Sequence, residues 1–183
     1  MEYIFYFLIF LSSLLFTWIS LPILIRKLKD AGITGKDVNK ENLPEIPEMG
    51  GLSIVIGSIG ALLFAIVLNT FFGFSFSLIE ILASMITILI VAIIGIYDDL
   101  FVMRQEVKMI LPMFAAIPLV AISVGTTTIS LPFIGPIDFG IIYIFLLIPI
   151  GITAASNLTN MFAGYNGLEA GLGIIIFIAL GII

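Results

Sequence analysis

The chain lacks cysteine and histidine entirely. The first absence excludes disulfides, thiolate metal sites and cysteine nucleophiles, and the second excludes imidazole as a base or ligand. Charge is also scarce, at 10% of 183 residues, with seven basic side chains against twelve acidic and a net charge of −5. No basic stripe exists to neutralise a phosphate backbone, so a nucleic-acid partner is not expected. What remains for acid, base or cation chemistry is carboxylates, amides, lysines and arginines. What abounds is apolar: 61% of residues, in blocks long enough to cross a bilayer, each span needing about 20 residues.

These blocks predict an all-α, polytopic transmembrane helical bundle of about six spans, forming one domain over residues 1–183. The apolar runs are Tyr3–Ile25, Leu52–Phe72, Leu78–Tyr97, Met109–Val124, Phe139–Ala155 and Leu168–Ile183. The first has no basic residue ahead of it and exceeds a signal-peptide core, so it reads as a retained span. Arg26, Lys27, Lys29, Lys36 and Lys40 follow span one, and Arg104 and Lys108 follow span three. The positive-inside rule therefore puts the loops after spans one, three and five in the cytoplasm and the N-terminus outside. Nine of the twelve acids share those loops: Asp30, Asp37, Glu41, Glu45, Glu48, Asp98, Asp99, Glu106 and Glu169. On the opposite side, 126–138 reads as a small extended turn without function. Ser53, Gly57 and Gly60, and likewise Gly167, Gly171 and Gly173, have the small side chains that let helices approach closely.

Three polar stretches interrupt the apolar sequence on the cytoplasmic side. Asp98-Asp99 ends the third run. An ionised carboxylate at mid-bilayer costs about 2.5–3.5 kcal/mol, so the pair belongs at an interface or beside water. A helix C-terminus prefers cations, and adjacent carboxylates repel, so a divalent cation, a proton to be transferred or Lys108 must compensate. Paired acids at a membrane surface suit Mg²⁺ bridging to a phosphorylated ligand. In the second stretch, Asn157 and Asn160 are three apart and share a helix face, while Asn166-Gly167 turns the chain. Amides both donate and accept, which suits base edges, hydroxyls and metals. Asn157-Leu158-Thr159 also fits a glycosylation sequon but falls on the cytoplasmic side. The third stretch, from Gly35-Lys36-Asp37-Val38-Asn39-Lys40 to Ile46-Pro47-Glu48-Met49-Gly50-Gly51, taken alone reads as a solvated linker easing the chain into span two.

Taken in order, Ile46-Pro47-Glu48-Met49-Gly50-Gly51, Gly95-Ile96-Tyr97-Asp98-Asp99 and Asn157 to Gly171 resemble the motifs of the polyprenyl-phosphate N-acetylhexosamine-phosphate transferases. The similarity covers about Gly35 to Gly171. Within the superfamily the chain is most similar to the eukaryotic and archaeal branch that acts on dolichyl phosphate, whose pattern includes Ala-Gly-x-Asn-Gly-Leu-Glu; the bacterial peptidoglycan branch usually has Asp where this chain has Ala163.

The resemblance implies transfer of N-acetylglucosamine phosphate from UDP-N-acetylglucosamine to a polyprenyl or dolichyl phosphate, releasing UMP and feeding glycan assembly such as N-glycosylation. It implies Mg²⁺, with Mn²⁺ as a substitute. By motif position, Asp98 and Asp99 act near the acceptor phosphate and metal, Lys108 holds the diphosphate, and Asn160 ligates the metal. Asn166 meets the uracil, Glu48 belongs to the nucleotide site, and Asn157 and Gly164 belong to the substrate site. The active face is cytoplasmic, at the cell membrane of a prokaryote or the endoplasmic reticulum of a eukaryote, and a homodimer is compatible. Family members have about ten spans and carry a further metal-ligating aspartate and a basic, histidine-containing motif later in the chain. The expectation is therefore the N-terminal part of a longer transferase, inactive or weak alone. The alternative from the residues is a small transporter or lipid translocator with Asp98 and Asp99 as its ion site; another is a structural partner that needs a second chain.

Overall fold

The computed structural model describes residues 2–101, 103–161 and 165–182. It is a polytopic helical membrane protein. Among the described residues four helical stretches are long and apolar enough to cross a bilayer, Tyr3–Asp30, Gly51–Phe72, Leu78–Leu100 and Gly140–Met161. Helix α1 (Glu2–Asp30) places Lys27 and Lys29 in its last turn, where cations offset the negative end of the helix dipole. It ends in a Schellman motif: Ile33 N–H donates to the Leu28 carbonyl at 2.9 Å and Gly32 N–H to the Lys29 carbonyl at 3.1 Å. Gly32 takes φ +73°, the left-handed conformation that this stop requires.

The loop that follows is more ordered than a solvated linker. Strands β1 (Thr34–Lys36) and β2 (Glu45–Pro47) pair antiparallel, with Gly35 opposite Ile46. The pairing folds the loop back under the end of α1. Helix α2 (Gly51–Phe72) then returns antiparallel to α1 and packs on it more extensively than any other pair of elements. The buried side of α2 is Ser53, Gly57, Ala61, Ala65 and Leu68. A Cβ at Gly57 would run into Thr17 Oγ1 and come within 2.9 Å of the Ser13 carbonyl, and one at Gly60 would meet the Phe16 ring. Small residues here let the two backbones approach, as their spacing suggested. The second glycine set behaves differently: Gly167, Gly171 and Gly173 have open space where a side chain would sit.

At the far end of this pair, the link to α3 (Leu78–Leu100) carries Phe74 and Phe76, which pack tilted or edge-on against Phe5 and Tyr6 of α1. Asn69 Oδ1 accepts the Phe76 N–H at 3.0 Å, satisfying a backbone donor that the turn frees. Ser77 caps α3 by accepting the Glu80 N–H.

The fourth apolar run is not one straight helix. It is broken into α4 (Gln105–Ile110), α5 (Pro112–Ala115) and α6 (Ile117–Ala121). Pro112 and Pro118 lack the N–H that would continue the ladder, and their rings clash with the preceding turn. A hairpin of β3 (Thr128–Leu131) and β4 (Gly135–Asp138) follows, the extended turn anticipated there. Asp138 Oδ1 then accepts the Gly140 N–H at 2.9 Å. The fifth run starts as α7 (Gly140–Ile142), widens to a π-helical turn over Tyr143–Leu147 just ahead of Pro149, and continues as α8 (Ile148–Met161). The last run forms α9 (Leu168–Ile182), shorter than the four spans.

Few side chains are buried, and large apolar residues such as Phe10, Trp18, Ile93 and Phe177 are exposed along the helices. In lipid this costs nothing, and packing is left to small residues and polar contacts. Replacing Gly57 by valine is therefore expected to lower the midpoint of thermal unfolding in detergent, with an overpacking cost of about 1–3 kcal/mol. The same change at Gly171, where nothing crowds the site, should leave the midpoint nearly unchanged.

Candidate functional site

The C-terminal ends of α3 and α8 converge with α4. Asp98 sits one turn from the end of α3, and its carboxylate forms an ion pair with the Lys108 ammonium from α4. The lysine keeps 27% and the aspartate 14% of side-chain exposure, so the pair is sheltered but reachable. Both line a cavity of about 90 Å³ together with Ser156, Asn157 and Asn160 of α8, floored by Gly95 and Pro112. The i, i+3 spacing of the two asparagines does put both on one face, as expected.

The break in the fourth run helps to build this cavity. With the ladder of α4 ending at Ile110, the Met109 carbonyl is available, and Asn157 Nδ2 donates to it at 3.2 Å. Asn157 thereby ties α8 to α4, while Asn160 one turn later is left facing the cavity. Asp99 follows Asp98 by about 100° around the helix and is not part of the cavity wall. It lies within electrostatic reach of Asp98, Glu48, Lys108 and Glu169. Acids from the first loop and from the start of α9 therefore gather near the end of α3.

A second polar cluster joins the first loop to the last. Asp37, only 4% exposed, accepts from Asn166 Nδ2 at 2.9 and 3.2 Å on its two oxygens. The Asn39 N–H donates to Oδ1 at 3.1 Å, and Lys40 Nζ approaches Oδ2 at 3.3 Å. These donors, the Asn166 amide first, hold the Asp37 carboxyl below the usual range against the opposing effect of burial. Glu48 is placed over β1, with its side chain against Gly35 and its N–H donating to the Ile33 carbonyl at 3.2 Å.

The structure thus brings Asp98, Lys108, Asn157 and Asn160 together at one cavity, leaves Asp99 off its wall with Glu48 in electrostatic reach of it, and holds Asn166 on Asp37. Gly164 lies outside the described residues. Asp37 is the residue that sequence reasoning undervalued, having read its loop as linker. The available signal was Asp-x-Asn, the pattern in which an aspartate accepts from the backbone two residues on. For a divalent metal, the cavity offers the Asp98 carboxylate and, among neutral side-chain oxygens, that of the Asn160 amide. That set suits Mg²⁺, which takes one or two protein oxygens and completes its shell with phosphates and water. Among the described residues no three acidic side chains cluster tightly enough to hold a metal by themselves.

Fold and site together define a polytopic membrane protein with a carboxylate, amide and lysine pocket at the ends of its helices. Residues 81–183 match the family described as glycosyl transferase family 4, and the chain belongs to that family. It is 40% identical over 181 residues to a putative UDP-N-acetylglucosamine–dolichyl-phosphate N-acetylglucosaminephosphotransferase of Saccharolobus solfataricus, covering 94% of this chain and 52% of that protein. The UDP-N-acetylglucosamine–dolichyl-phosphate N-acetylglucosaminephosphotransferase of Dictyostelium discoideum is 32% identical over 88% of this chain and 44% of its own length. A phospho-N-acetylmuramoyl-pentapeptide-transferase of Chlorobium limicola is 30% identical over 93% and 50% respectively. The chain spans about half the length of these relatives.

The depressed Asp37 value fixes a pH dependence. Its folded value lies below the ordinary 3.8, so its stabilisation of the loop contact is complete above 3.8 and is lost as pH falls through the lower, folded value. Because the chain has no cysteine, Val38→Cys and Tyr165→Cys permit spin labelling on an otherwise clean background. The interlabel distance is expected to stay constant from pH 8 to 5 and to broaden only below 3.8.

Proposed function

We propose that this chain carries the acceptor and metal side of a transferase that moves N-acetylglucosamine phosphate from UDP-N-acetylglucosamine to a polyprenyl or dolichyl phosphate. The observation that carries this reading is the juxtaposition, at one cavity, of Asp98, Lys108 and Asn160. Carboxylate, ammonium and amide are the groups that phosphoryl transfer asks of a protein, which mainly positions reactants and stabilises spreading charge. Family membership and the names of the archaeal and eukaryotic relatives support the same substrates.

In this reaction an oxygen of the acceptor phosphate attacks the β-phosphorus of the sugar nucleotide. The bond from that phosphorus to the bridging oxygen breaks, UMP leaves with the electron pair, and a lipid-linked diphosphate sugar forms. The acceptor monoester, with a second pKa near 6, already carries its nucleophilic charge at pH 7, so no residue needs to become covalently modified. Lys108 offers its ammonium to the diphosphate, exchanging Asp98 for phosphate oxygens as the substrate enters. Asp98 and Asn160 on the cavity wall would hold Mg²⁺, or Mn²⁺ in its place, and Asp99, off that wall, would add its charge from within electrostatic reach. The chemistry such a cation would supply there is neutralisation of negative charge on the phosphates. Asn157 keeps α8 against α4 so that Asn160 stays aimed at the cavity. Glu48 and Asn166 belong to the nucleotide side and Gly164 to the substrate site, and the reading puts this whole face of the protein in the cytoplasm.

The test is a radiolabelled transfer assay on protein expressed from the complete gene. Asp99→Asn and Asn160→Ala are each expected to lower turnover by about 100-fold or more while membrane insertion is unchanged; normal rates in both would remove the metal assignment. Cysteines placed singly at Lys40, Lys108 and Asn166 should all be labelled from the same side of sealed vesicles. Labelling from opposite sides would defeat the common site.

A further inference from the structure

Asn166 is exposed, yet its amide is not free to turn. Both oxygens of Asp37 lie within 3.2 Å of the same nitrogen, Nδ2. An ionised carboxylate only accepts hydrogen bonds, so it dictates which end of a neighbouring amide faces it. Asp37 is itself fixed, being buried and held by the Asn39 N–H and by Lys40. The amide oxygen of Asn166 must therefore point away from Asp37, as an acceptor presented from an otherwise unremarkable turn.

We propose that Asp37 is a specificity-determining positioning residue: by holding Nδ2 of Asn166 inward it presents Oδ1 outward to accept an N–H from the nucleobase, and so selects uracil over cytosine. This deepens the reading under which Asn166 meets the base, and rests on it. Uracil carries a hydrogen at N3, between two carbonyls. Cytosine carries a lone pair at N3, which would face the Oδ1 lone pairs across the same distance. A freely rotating asparagine accommodates both bases by turning its amide over, and an asparagine clamped by a carboxylate accommodates one. The clamp comes from a residue 129 positions away in sequence, so base choice is set by the first loop although the contact is made by the last.

The experiment compares competition by UDP, CDP and 3-methyluridine diphosphate against labelled UDP-N-acetylglucosamine, on protein from the complete gene in nanodiscs. The wild type is expected to bind UDP about tenfold or more tightly than either CDP or the methylated analogue. Asp37→Asn presents a side chain that both donates and accepts, so it releases the amide, and the UDP to CDP ratio should fall toward one. Asp37→Glu keeps the carboxylate and should restore most of the ratio. Equal weakening of UDP and CDP in Asp37→Asn, with the ratio intact, would overturn the proposal and leave Asp37 as a loop anchor only. Should that variant fail to fold, the methylated analogue decides: binding by the wild type as tight as UDP would overturn the orientation of Oδ1. A wild type that binds no uridine nucleotide would overturn the underlying functional reading as well, which distinguishes the two failures.

Discussion

The arrangement depends on a carboxylate that is almost wholly removed from water. Asp37 could be buried at this position only because four donor contacts meet it, two of them from the amide of Asn166. Without such partners the carboxylate would be dry and unpaired, and the loop would open to rehydrate it. With them, the turn after α1 and the turn before α9 are held together, and the ends of α3 and α8 lie between. The pocket itself is walled by the helices, with Asp98 from α3, Lys108 from α4 and Asn157 and Asn160 from α8.

Proline does in the fourth and fifth runs what glycine does in the first two. Gly57 and Gly60 let α2 close onto α1, the first against Thr17 and the Ser13 carbonyl and the second against the Phe16 ring. Pro112 and Pro118 divide the fourth run, and the π-helical turn precedes Pro149 in the fifth. Interrupted helices are tolerated in a membrane only where the freed backbone groups find partners. The bond from Asn157 to the Met109 carbonyl is such a partner, and it makes the helix break part of the site.

Much of this was legible in the chain itself. Long apolar runs mark the spans because lipid leaves few other solutions, and Asp98-Asp99 and the asparagine-rich stretch stand out because polar groups are costly there. The i, i+3 relation of Asn157 and Asn160 follows from helix geometry. Less legible was anything set by long-range pairing. The fourth run has the composition of a span, and hydropathy alone does not weigh its two prolines. The loop around Asp37 has the composition of a linker, and no local pattern says that Asn166 will reach it. Gly171 and Gly173 resemble a packing stripe, but spacing cannot say whether a neighbour exists.

The division of the fourth run at Pro112 has a mechanical consequence for the lysine beside it. Lys108 rides on a segment of six residues, Gln105–Ile110, whose hydrogen-bond ladder stops short of α5. Pro112 removes one rung of that ladder, which leaves the lysine-bearing segment easier to bend against α5 than an unbroken helix would be.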